Sequence, residues 1–256
     1  MEGKFKQYSI MIIPNTINID WFGNRPQYEI SELKIVTVGL NPSGIEFGVD
    51  KTNNKANVDS RFPACHGKTA TFSTPGYFPD AWNHYFDNNP YWKWFDNFEH
   101  VLWGLNASYK YDKKHRALHT DLCTPWATSP TWSKLSPIDR ETLSKQFKFD
   151  EWKNLVKGLK PDIIIACIPQ EYRLKLGYVD TALTKLCEIQ FTKSGNMRKH
   201  PIPIYVSKYN GAIIVFGRTM MVPFGNISND QKIKVGQTIM VYYECANKNN
   251  WKCRTI

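Results

Sequence analysis

The sequence predicts a single α/β domain in which a parallel sheet lies between helices, and three observations carry that expectation. Short β-branched runs at Lys34 to Gly39 and Asp162 to Ile168 lack polar alternation, as strands buried on both faces do. Helical stretches separate the strands, at Asn89 to Leu105, Arg140 to Leu159, Gln170 to Leu176 and Asn229 to Ala246. No internal repeat, low-complexity tract or long linker interrupts the 256 residues, so one domain spanning 1–256 is expected.

Two further strand signals complete the pattern. One is Ala117 to Cys123; the other pairs Ala212 to Phe216 with Thr219 to Val222 through a Gly217-Arg218 turn. Strands alternating with helices imply right-handed crossovers, and such sheets bind ligands at the carboxyl ends of their strands. The residues just after each strand are therefore the informative ones.

Composition narrows the function classes. Thirty-three Lys and Arg against twenty-three Asp and Glu leave a net charge of +10, which suits a polyanionic partner but does not by itself require one. Nine Trp, thirteen Tyr and fourteen Phe offer rings that stack on bases, though large rings mostly serve the core. The apolar run Ile10 to Ile13 is too short for a secretory leader or a membrane span, so a cytoplasmic protein with no membrane partner is expected. The six cysteines show no Cys-x-x-Cys pair and no zinc-finger spacing, so reduced thiols, no metal and no cofactor are expected.

Three segments follow strands and carry chemistry-bearing residues. Val38-Gly39-Leu40-Asn41-Pro42-Ser43-Gly44 stops a buried strand at turn residues, which also suits an ordinary strand exit. Leu118-His119-Thr120-Asp121-Leu122-Cys123 ends a second strand on an acidic residue, which by itself also suits a turn cap. Met221 to Asp230 leads through Gly225-Asn226-Ile227-Ser228 into a helix, with Ser228 or Asn229 as N-cap at an end that favours phosphate.

The order and spacing of these segments resemble the uracil-DNA glycosylase superfamily, in particular its mismatch-specific and single-strand-selective branches. Gly39-Leu40-Asn41-Pro42-Ser43 is similar to the family's opening Gly-(Ile/Met/Leu)-Asn-Pro-Gly apart from its last residue. Asn226-Ile227-Ser228 resembles the closing Asn-Pro-Ser with its proline replaced. The resemblance implies a three-layer α/β/α fold around a four-stranded parallel sheet, acting as a monomer on DNA whose target nucleotide is flipped out. It implies that Asn41 positions the attacking water, that Asn226 faces the departing base, and that Gly39 and Leu40 line the base pocket. Phe47 takes the place of the family's stacking ring, with Phe62 and Tyr77 as alternatives. Ser43, Ser228, Lys232 and Lys234 are candidate phosphate contacts, although a lysine on a helix usually marks a solvated face, and Ile227 is a candidate wedge.

The second segment points to the base. A carboxylate at Asp121 accepts a hydrogen bond from an exocyclic amine such as cytosine N4 and repels uracil O4. Cytosine leaves poorly unless N3 receives a proton, and a buried Asp121 holding one would supply it. Excising ordinary cytosine would destroy the host genome, so the expected substrate is a modified cytosine. Glucosylated hydroxymethylcytosine of phage DNA is one, and anti-phage glycosylases of this superfamily that remove it are known. The aromatic-rich stretch at about 48–100, with Tyr77, Phe78, Trp82, Tyr85, Tyr91, Trp92 and Trp94, reads as an insertion whose rings stack on such a sugar or fill a core. The rival readings are a repair glycosylase for uracil or another deaminated base, a non-catalytic reader of modified DNA, and a nucleoside hydrolase.

Overall fold

The computed structural model describes residues 20–42, 79–88, 90–123, 128, 131–145, 149–178, 183–218 and 222–247. The chain packs as two compact units, one formed by residues 1–24, 39–91 and 119–156 and the other by 25–38, 92–118 and 157–256. Two of the boundaries fall inside strands rather than in linkers, so no compositional break marks them.

The second unit holds most of a seven-stranded sheet in the order β2-β3-β1-β4-β7-β6-β5. These strands are β1 (Ile35–Gly39), β2 (Ala107–Ser108), β3 (His115–Asp121), β4 (Ile163–Ala166), β5 (Thr184–Phe191), β6 (Met197–Tyr209) and β7 (Ala212–Phe216). Only Gly39 and His119–Asp121 among them group with the other unit. Pairing is parallel between β1 and β4, β4 and β7, and β2 and β3. It is antiparallel between β7 and β6 and between β6 and β5. The protein is thus α/β with a mostly parallel sheet, and the sheet has seven strands where the resemblance implies four.

The inner strands behave as their composition dictates. Every residue of β1, β4 and β7 is buried, which an Ile- and Val-rich run achieves only with cover on both faces. The antiparallel addition is less obvious because Pro201 and Pro203 interrupt the run that forms β6. Both prolines lie beyond Tyr205, the residue that pairs with the last residue of β7, so the missing amides break no ladder with that strand. Asn210 and Gly211, with φ of 47° and 90°, close the β6–β7 hairpin. Two successive positive φ values match the right-handed twist of the flanking strands. β7 therefore turns back onto β6, and Thr219 to Met221 of the expected forward hairpin lie outside the described residues.

The α-helices of the described residues are α1 (Arg25–Glu29), α2 (Pro79–Asn83), α3 (Trp92–Gly104), α4 (Pro137–Ser144), α5 (Phe149–Leu159), α6 (Gln170–Lys175) and α7 (Asn229–Asn247). Within the second unit α3 packs on α7. Contact is at backbone distance, because a Cβ on Gly236 would lie 2.0 Å from the Val101 carbonyl oxygen and one on Gly104 2.1 Å from that of Ile233. Beside this contact, the fully buried Glu99 accepts from Trp103 Nε1 at 3.1 Å, from the Tyr109 amide at 3.2 Å and from the Ser108 hydroxyl. Burial raises its carboxyl pKa, and those three donors work against the shift.

The first unit is built on aromatic packing. Trp21 meets Trp82 edge-on at 4.8 Å, and Phe22 meets Tyr85 at 4.7 Å. Trp82 and Tyr85 are fully buried, so these two rings of the aromatic-rich stretch are core and not a sugar platform. The stretch expected as one helix from Arg140 to Leu159 forms two, Pro137–Ser144 and Phe149–Leu159. Ser136 caps the first by accepting from the Asp139 amide, with Pro137 at its opening position.

Cys123, Cys167 and Cys187 are free thiols, whereas Cys245 on α7 is disulfide-bonded, contrary to the expectation of reduced thiols throughout. Among the described residues no helix is long and apolar enough to cross a membrane.

Candidate functional site

Where β1 and β3 end, the chain exits lie side by side in the first unit. The Leu122 amide donates to the Gly39 carbonyl at 3.1 Å, and the Cys123 amide donates to the Leu40 carbonyl at 2.8 Å. These bonds continue the sheet's pairing past the last strand residue and fix one loop against the other. Asn41 follows directly. It is half-buried, and its Nδ2 donates to the Pro42 carbonyl at 3.1 Å and to Thr128 Oγ1 at 3.3 Å. Thr128 is fully buried, so the Asn41 amide is held by a buried partner from a later segment.

On β3, alternation places His119 and Asp121 on one face and Thr120 on the other. The strand is regular enough to keep that order: His119 Nε2 lies 3.4 Å from Asp121 Oδ1, and both side chains are almost sealed from solvent. Thr120, facing the other way, accepts from Trp152 Nε1 at 3.1 Å. His119 is fixed on a second side by Phe22, since the two backbones exchange hydrogen bonds at 2.8 and 2.9 Å and the rings lie 5.6 Å apart. The sequence marks Asp121 as the chemical residue and His119 as the one histidine to test beside it, on the same face provided that no bulge intervenes. Their period-two spacing is the signal that joins them.

Gly39, Leu40, Asn41 and Asp121 are therefore brought together by two adjoining strand exits. Ser43, Phe47, Phe62 and Tyr77 lie outside the described residues.

The third segment belongs to the second unit. Asn226 is exposed with φ of 61°, and its carbonyl accepts from the Arg198 guanidinium. Ile227 is buried, so it is not displayed as a wedge. Ser228 is the N-cap of α7 in a reciprocal capping box: its amide donates to Gln231 Oε1 at 3.1 Å, and its hydroxyl accepts from the Gln231 amide at 3.3 Å. Lys234 is exposed. Lys232 is not. Its ammonium donates to Asn97 Oδ1 at 2.8 Å and to Asn229 Oδ1 at 3.3 Å, and burial lowers its pKa. Lys232 thus ties α7 to α3, which sets it apart from the exposed Lys234 as a phosphate contact. Its burial depends on Asn97, far away in sequence, and no local pattern announces it.

The chemical content of the first site is a buried carboxylate beside an imidazole, next to a loop whose Asn side chain is held in place. Such a pair moves a proton, and such an amide orients a small polar molecule. Among the described residues, no three His, Cys, Asp or Glu side chains converge closely enough to hold a metal ion. Comparison with protein-family models, with curated proteins and with solved structures finds no match to this chain.

Proposed function

We propose that the chain is a monofunctional DNA glycosylase that flips a modified nucleotide and hydrolyses its N-glycosidic bond, leaving an abasic site. The base that suits it best is a modified cytosine such as glucosylated hydroxymethylcytosine. The observation that carries the reading is the buried Asp121–His119 pair at the end of β3, hydrogen-bonded through its loop to the exit of β1 that bears Asn41.

In this reading Asn41 holds a water against C1′ of the flipped nucleotide. The water oxygen bonds to C1′ as the bond from C1′ to the base breaks, and the bonding pair leaves with the base. The Asp121–His119 pair gives a proton to cytosine N3 through the Asp121 carboxyl, so the base departs neutral, and the proton shed by the water returns to the pair. His119 holds the carboxyl in place and relays that proton. Four of the five strands expected from sequence, β3, β1, β4 and β7, stand side by side in the sheet, and in this reading they form a three-layer glycosylase-like core to which β2, β5 and β6 are additions. A net charge of +10 suits a DNA partner.

The test is mass spectrometry of free base released from duplexes containing cytosine, uracil or glucosylated hydroxymethylcytosine. Release of the modified cytosine alone is expected. Release of uracil alone supports the repair reading, and binding of modified DNA without release supports a reader.

A further inference from the structure

We infer that the second unit carries a separate site for a nucleoside phosphate, in a cavity of about 450 Å³ at the carboxyl ends of β4 and β7. Pro169 and Gln170 follow β4, Gly217 and Arg218 follow β7, and β6 supplies the outer wall where it runs past β7. All lining residues fall within residues 157–256, so the inference does not depend on the function proposed above.

The lining has the chemistry of an anion-and-ring site. Its cationic residues are Arg173 and Arg218, His200 is also on the lining, and no Asp or Glu is among them. The Arg173 guanidinium lies 5.4 Å from the Phe216 ring centre and 6.0 Å from that of Tyr205. Held against two rings, its planar fork has lost much of its freedom before any ligand arrives, which favours two-point contact with a phosphate. Arg218 is half-buried on the same cavity, so a second fork is available to the same group. Tyr205, half-buried, also lines the space and gives a planar ring a surface to stack on, whereas Phe216 is buried with Arg173 against it. Gly217 keeps this wall thin: a Cβ there would lie 2.5 Å from the Phe224 ring and 2.7 Å from Cys167 Sγ. The volume lies within the range of small-molecule sites, roughly 300–1,000 Å³. A phosphate for the two guanidiniums and a flat base for the Tyr205 ring together describe a nucleotide, either free or within a DNA strand.

Isothermal titration of the full chain with deoxycytidine monophosphate, deoxycytidine and a short single-stranded oligodeoxynucleotide tests the site. The monophosphate is expected to bind at least ~10-fold more tightly than the nucleoside, and Arg218→Gln to weaken it by about 10-fold, the scale of one charge-assisted contact. Arg173→Gln should do the same, with its melting curve confirming that it folds. If only the oligonucleotide binds, and Arg218→Gln weakens that binding, the phosphate comes from a strand and the site stands. Binding of none of the three ligands, equal binding of nucleoside and monophosphate, or binding unchanged in folded Arg218→Gln would overturn the inference.

Discussion

His119 Nε2 lies 3.4 Å from Asp121 Oδ1, two positions apart on β3 and both nearly sealed from solvent. A carboxyl placed there suits proton delivery to a base and serves no exposed ion pair. Asp121→Asn keeps the size of the side chain and removes the group that carries the proton. The initial rate of modified-base release should fall by ~10² or more, the usual worth of a positioned acid. A variant with the rate and base preference of the parent protein would remove Asp121 from the mechanism.

Gly236 and Gly104 meet at the crossing of α3 and α7. An alanine in a helix ordinarily gains up to about 1 kcal/mol over glycine. Here the added methyl would lie 2.0 Å from the Val101 carbonyl oxygen for Gly236. Backbone cannot yield as a flexible side chain does, so the overlap outweighs the propensity. Gly236→Ala should lose about 1–3 kcal/mol or more in urea unfolding, and a more stable variant would show that the helices separate readily.

Glu99 is the acceptor for three donors inside the second unit. Glu99→Ala would strand the Trp103 indole, the Ser108 hydroxyl and the Tyr109 amide. A net loss of roughly 3 kcal/mol is expected after allowing for the relief of burying a carboxylate. Glu99→Gln, which keeps one acceptor oxygen, should lose less. Chemical denaturation of both variants measures the difference.

His115 opens β3, is 6% exposed, and has no hydrogen-bond partner for Nδ1 among the described residues. Burial, aided by the nearby Lys114 charge, lowers its pKa below the ordinary 6.5. The folded chain therefore resists a proton that the unfolded chain accepts. The resulting stability is present above pH 6.5 and is lost as pH falls through the lowered folded value. His115→Leu should flatten the decline of the thermal midpoint below that pH. Identical declines in parent and variant would assign the pH dependence to other groups.

How far the sequence discloses the molecule follows from where each signal resides. β1, β4 and β7 are legible because full burial leaves an unbroken apolar run. β5 and β6 are hidden by Pro201, Pro203 and a half-exposed pattern, although Asn210-Gly211 is a hairpin signal that locates the turn. In the candidate site, Gly39 to Asn41 and Asp121 are legible as strand exits. The fixing of Asn41 by Thr128 and of Lys232 by Asn97 is not, since each depends on a contact between residues far apart in the chain.

Whether Asn41 and Asp121 release a base from DNA is measured most directly as free base released by the parent protein and by Asn41→Ala from duplex containing glucosylated hydroxymethylcytosine. Release by the parent protein is expected, with a fall of at least ~10² in the variant and DNA binding retained. Equal release by the two proteins, or none from any modified duplex, would contradict it.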